Sequence, residues 1–200
     1  MTTAHDLTIV SLEARTEYPV ERGDLSLALA GAELADLLEA GAVSLDGSVL
    51  RPVERPGSGD PMLDAAASEV GKEPDESVED WLWRRGWGLA AEYLAAEGVE
   101  DTRRKRPRWM GRRDADRPAP ADPETRRRAT DRWASGDPVL AGLAAAVGIH
   151  HESADRVEDP EDDGIAAVLA AVNDAVVELA AIRQRRSIED AAFDNIWRGL

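Results

Sequence analysis

The chain has 200 residues, 43% of them apolar and 4% aromatic, with no cysteine and a formal charge of −16. That length and apolar content suffice for the buried core of one domain, and the missing cysteine excludes disulfides, thiolate zinc sites and thiol nucleophiles. An evenly acidic surface would be repelled by nucleic acid and by anionic lipid, so any such partner needs a local departure from the mean.

The apolar set is dominated by Ala, Leu and Val, which predicts a mainly α fold of closely spaced helices in one domain over residues 1–200. The N-terminus lacks the basic-then-apolar order of a signal peptide. No uninterrupted apolar run approaches the roughly 18 residues that span a bilayer. A cytoplasmic chain with at most peripheral membrane contact is expected.

In chain order, residues 7–12 (Leu-Thr-Ile-Val-Ser-Leu) are β-branched and apolar and read as a strand. Asp24 is a candidate cap for a helix in which Leu25, Leu29, Ala32, Leu37 and Leu38 recur at helical spacing up to Gly41. Residues 43–45 and 49–53 then flank Asp46-Gly47, a dipeptide suited to a hairpin turn. A loop over 55–61 leads to a short helix over 62–70, and a second loop fills 71–76. Ser77 and Asp80 have capping-box spacing, opening a helix that places Val78, Trp81 and Leu82 on one face. Gly86 and Gly88 interrupt it, and a new helix carries Leu89, Ala90, Tyr93 and Leu94 to Gly98. Helical pattern returns over 124–134, 138–147 and 165–182, the last apolar on most sides and expected at the centre of a bundle.

Between them, over 101–123, apolar periodicity is lost and a proline-flanked loop or hairpin is expected. Residues 103–117 hold eight bases (Arg103, Arg104, Lys105, Arg106, Arg108, Arg112, Arg113, Arg117) against Asp114 and Asp116. That local +6 leaves −22 on the rest of a chain whose total is −16. Trp109 and Met110 sit between the cations, a pattern suited to headgroup contact with shallow insertion of an apolar tip. Each base near an anionic membrane contributes about 1 kcal/mol, enough in sum for reversible attachment. A solvated loop paired with the acidic body is the competing reading. In a second constellation, Trp81, Trp83, Arg84, Arg85 and Trp87, residues Arg84 and Trp87 are three apart and could share a helical face, where an arginine fork and an indole donor would hold a phosphate; core packing explains the tryptophans as well.

The order helix, hairpin, Gly57-Ser58-Gly59-Asp60-Pro61-Met62-Leu63-Asp64-Ala65-Ala66 and Trp-containing helix resembles the Golgi phosphoprotein 3 family. Leu29-Ala30-Gly31-Ala32-Glu33-Leu34, Ala96-Glu97-Gly98-Val99 and the apolar stretch 165–179 add to the resemblance, which covers essentially the whole chain. It implies an all-α body with one or two small hairpins and no catalytic activity. It also implies phosphatidylinositol 4-phosphate bound in a basic pocket, with an adjacent hairpin entering the bilayer. The family's Trp before the first helix and Arg at its start are replaced here, by Glu21 or Arg22 and by Ala30; its two later Arg positions fall near Arg84 and Trp87.

Catalytic chemistry is not supported: Gly57 to Asp60 lacks the Lys of a P-loop, no G-x-S-x-G elbow occurs, and adjacent His150 and His151 diverge too far on a helix to share one metal. The expected protein is a non-enzymatic peripheral membrane-binding protein or adaptor without cofactor. Its expected lipid contacts are Arg84, Arg85, Trp87, Arg103, Arg104, Arg106, Arg108, Trp109, Met110, Arg112 and Arg113. Protein clients and self-association are further partners left open. A winged-helix-like nucleic-acid binder is the alternative, motivated by the 25–38 helix and its hairpin, and disfavoured by Glu33, Asp36 and Glu39.

Overall fold

The structure is a computed structural model, described over residues 2–14, 16, 19–99, 122–151 and 160–198, with side chains to residue 190. It is mainly α, with eight helices and one antiparallel hairpin among the described residues. Helix α1 (Thr3–Glu13) and helix α2 (Arg22–Glu39) precede strands β1 (Val43–Asp46) and β2 (Val49–Pro52). Helices α3 (Pro61–Glu69), α4 (Val78–Arg85), α5 (Leu89–Ala96), α6 (Pro123–Ala134), α7 (Pro138–Ala146) and α8 (Asp163–Arg198) follow.

Helix α2 is the axis of the fold. Twelve of its 18 residues are buried, because Ala28, Ala30, Gly31 and Ala32 let neighbours approach on several sides at once. A Cβ on Gly31 would stand 2.3 Å from Val172 Cγ2, so glycine sets the distance between α2 and α8. Gly23 abuts Leu179 and Gly31 abuts Val172, which makes α8 antiparallel to α2. Thr3 donates its backbone N–H and its hydroxyl to Asp36 at 2.8 and 2.6 Å, which sets the start of α1 against the C-terminal half of α2.

Two expectations about regular structure are overturned. Residues 7–12 are not a strand but lie in α1, capped by the Thr2 hydroxyl and buried over residues 6–10 against its neighbours. Burial on nearly all sides explains the β-like run of apolar residues. A lone strand there would leave its backbone groups without partners, whereas a helix satisfies them internally. Helix α8 starts where expected but continues to Arg198, and it is peripheral rather than central. Val168, Val172, Ala175 and Val176 are buried while Val177 is 61% exposed. By length and composition, its Asp163–Asp190 portion is also apolar enough to cross a membrane, and only 22% of its apolar stretch is buried in the body.

Smaller elements follow the sequence closely. In the hairpin Asp46 pairs with Val49, so the two turn residues are Gly47 and Ser48, one position beyond the expected Asp46-Gly47. Gly47 takes the left-handed conformation, φ 64°, that a two-residue turn needs at its first position. Asp60, not part of any phosphate loop, caps α3 by accepting the N–H groups of Met62 and Leu63. Ser77 and Asp80 form the expected capping box, and Val78, Trp81 and Leu82 are buried together. Helix α2 begins after Glu21, which makes no side-chain cap, and Asp24, the expected cap, lies instead inside the first turn and pairs with Arg183.

Candidate functional site

The only sequence-predicted lipid contacts among the described residues are Arg84, Arg85 and Trp87, around the junction of α4 and α5. The remainder, Arg103, Arg104, Arg106, Arg108, Trp109, Met110, Arg112 and Arg113, lie outside the described residues. The capping box starts α4 and Gly86 ends it, because a Cβ there would stand 2.5 Å from the Leu82 carbonyl oxygen. Gly88, with φ 78°, then reverses the chain into α5. Helix α4 therefore stops before Trp87, and Arg84 and Trp87 do not share a helical face.

Arg84 and Arg85 project to different partners. The Arg84 guanidinium donates to both Glu76 carboxylate oxygens at 2.6 and 2.9 Å and to Glu69 at 3.3 Å, and lies 5.3 Å from the Trp81 ring centroid. Arg85 donates in a fork to Glu33 at 2.7 and 2.8 Å, deep beneath α4. Glu33 has no exposed surface, and its remaining partner is the Tyr93 hydroxyl, which donates at 3.0 Å. Burial raises the Glu33 pKa, opposed by the Arg85 hydrogen bonds and charge. Burial and the adjacent Glu33 charge push the Tyr93 phenol upward as well. In Arg85, burial acts to lower the pKa but is outweighed by Glu33, so the guanidinium is held charged.

Both cations are thus already neutralised by carboxylates of the chain. A phosphate at either guanidinium would have to displace Glu76 and Glu69, or a fully buried Glu33, and would leave those acids uncompensated. Sequence reasoning missed Glu33, Glu69, Glu76 and Tyr93 as the partners. One local clue was present: Glu33 interrupts an otherwise small and apolar helical stretch, the pattern of a buried charge that must be paired.

Trp87 has the opposite environment. It is 90% exposed on a glycine-bounded turn. Gly86 packs on Ser26 and Leu27, and the Ala90 N–H donates to the Ser26 hydroxyl at 3.0 Å, so Trp87 stands toward the N-terminal end of α2. Helix α6 runs antiparallel to α1, with Arg132 on Asp6 at 2.9 Å and Arg126 on Glu13 at 3.5 Å. Asp122, where the described chain resumes after the basic segment, therefore lies at that same end of the bundle.

A second polar cluster joins α1, α2, α6 and α7. Arg132 donates to Asp6, Thr3 and Asp137 at 2.9 to 3.1 Å, and Thr3 in turn donates to Asp36. Burial raises Asp36 to a pKa of about 6, despite the Thr3 hydrogen bonds that favour its anion. Its acids are bound to arginine or threonine, and among the described residues no group of three or more His, Asp or Glu is placed to hold a metal ion. His150 and His151 lie beyond the end of α7 and outside any helix, with His151 edge-on to Trp133 at 5.0 Å.

In comparison with known proteins, a family model described as Golgi phosphoprotein 3 (GPP34) matches residues 4–191. No curated protein and no solved structure matches the chain.

Proposed function

The chain belongs to the Golgi phosphoprotein 3 family, and on that premise we propose that it is a non-enzymatic peripheral membrane protein that contacts anionic lipid. The contact is made by residues 103–117, with Trp109 and Met110 as a shallow apolar tip and Trp87 as a second indole at the headgroup level. The observation that carries this reading is the exposed Trp87, at the same end of the bundle as Asp122, the first described residue after the basic segment. An indole with nine-tenths of its surface in water is unpaired in the protein, and its amphipathic ring suits the membrane interface. Arg84 and Arg85, held by carboxylates, support the site by fixing α4 and the turn. The lipid contact is then mainly electrostatic, with phosphatidylinositol 4-phosphate as one anionic headgroup among others. On this reading the chain works at the cytoplasmic face of a membrane, and protein clients of the adaptor type are further partners.

The nucleic-acid alternative loses its motivating element. The helix before the hairpin, α2, is buried along most of its length and cannot enter a groove.

Vesicle co-sedimentation tests the proposal. Binding should rise with the fraction of anionic lipid, and replacing Arg106, Arg108, Arg112 and Arg113 by Glu should weaken it by about two orders of magnitude or more. Equal binding to neutral vesicles, or no effect of the reversal, would refute it. Vesicles of equal charge made with phosphatidylserine or phosphatidylinositol 4-phosphate separate general attraction from headgroup selection. Trp87→Ala and Trp109→Ala should lower binding without altering stability.

A further inference from the structure

Helix α5 opens without a cap of its own, because Gly88 has no side chain to accept the N–H groups of the first turn. The Leu89 N–H bonds the Gly86 carbonyl at 3.3 Å, and the Ala91 N–H bonds the Gly88 carbonyl at 3.0 Å. That leaves the Ala90 N–H, on a residue only 1% exposed. It is taken at 3.0 Å by the hydroxyl of Ser26, a buried residue of α2 that lies 64 positions earlier. Ser26 also meets the other flank of the turn, since a Cβ on Gly86 would stand 3.3 Å from the Ser26 carbonyl oxygen. One residue of α2 thus holds the chain on both sides of Trp87. The indole is the only side chain of the 86–88 turn, and it is 90% exposed. On a free turn it would lower its apolar exposure by folding back on the body. It stands out because the chain on either side of it is fixed.

We propose that Ser26 is a positioning residue for the lipid contact, holding the turn between α4 and α5 so that Trp87 is presented to headgroups. This rests on the lipid reading above and adds a reason why a single exposed indole can serve. A side chain held in its bound direction loses less freedom on binding than one on a mobile turn, so the turn contributes to the affinity. Ser26 itself, 6% exposed, does not reach the lipid. Replacing it by alanine leaves a buried N–H without an acceptor, which should favour opening of the turn by about tenfold. Gly88 gives a second handle. Its φ of 78° suits glycine, and a Cβ there would meet nothing within 4 Å, so Gly88→Ala strains the turn without a clash.

Co-sedimentation of the full chain with vesicles of phosphatidylserine and phosphatidylcholine, run as a double-mutant cycle, tests this role. Ser26→Ala and Gly88→Ala should each weaken binding by about threefold or more, and neither should weaken it further in a chain that already carries Trp87→Ala. Circular dichroism checks the fold of each variant. Ser77→Ala, which removes a cap at the opposite end of α4, should bind as the natural chain does. That control separates positioning of the indole from a general loss of stability. The role of Ser26 is overturned if Ser26→Ala binds like the natural chain while Trp87→Ala binds less, or if its loss adds in full to that of Trp87→Ala. A natural chain that does not sediment with these vesicles would remove the lipid reading, and the positioning role with it.

Discussion

Removing Arg85 distinguishes its role as an internal counter-ion from a role in lipid binding. Its guanidinium is 14% exposed and makes a bidentate contact with Glu33, which has no exposure. Arg85→Met preserves most of the aliphatic packing but leaves a buried carboxylate with only the Tyr93 hydroxyl as a partner. Breaking a buried pair on one side costs about 3 to 5 kcal/mol, which for a chain of this size corresponds to a melting temperature lowered by about 10 °C. Replacing both partners, Arg85→Met with Glu33→Gln, should recover much of the loss, because a neutral amide can still accept from Tyr93. The pH dependence has a definite sign. Burial already raises the Glu33 pKa and Arg85 holds it down, so removing Arg85 raises it further and favours the protonated acid. The deficit of Arg85→Met should therefore be largest at neutral pH and shrink toward acid pH. Thermal and urea unfolding between pH 4.5 and 7 measure this, and vesicle sedimentation of the folded variant should be unchanged. A deficit below about 1 kcal/mol at pH 7, or one independent of pH, would refute the internal-counter-ion reading. Lost lipid binding with unaltered stability would assign Arg85 to the lipid instead.

Asp36, raised by burial to a pKa of about 6 from 3.8, contributes stability that is full below about pH 4 and is lost as pH rises through 6. The loss is on the order of 3 kcal/mol, and Asp36→Asn should flatten that part of the stability profile in urea titrations. Gly31→Ala should cost about 1 to 3 kcal/mol by overpacking, since its Cβ would meet Val172 at 2.3 Å. Adding Val172→Ala should recover part of that cost, a non-additivity readable in a double-mutant cycle. Ser77→Ala removes the hydroxyl that accepts the Asp80 N–H at 3.1 Å, and should lower stability by about 1 kcal/mol in chemical denaturation.

Local chemistry was legible in the sequence wherever it acts within a few residues. The Ser77 and Asp80 capping box, the hairpin, the helix breaks at Gly86 and Gly88 and the helical character of the chain all depend on short-range hydrogen bonds and backbone preferences. The charge separation between residues 103–117 and the remainder is likewise a property of the sequence alone. Tertiary structure decided the matters that depend on what packs from a distance. Residues 7–12 became helix because neighbouring helices bury residues 7–10 on nearly all sides, and nothing local distinguishes that burial from a strand's. Helix α2 took the centre and α8 the edge because close approach depends on where small residues face each other, as Gly31 and Val172 do. Arg84 looked like a phosphate fork beside Trp87 until Glu69 and Glu76 were folded onto it, and Glu33, 52 positions away in sequence, was folded beneath Arg85. A guanidinium takes the anion that the fold delivers to it, and sequence spacing carries no record of an acid brought from another helix.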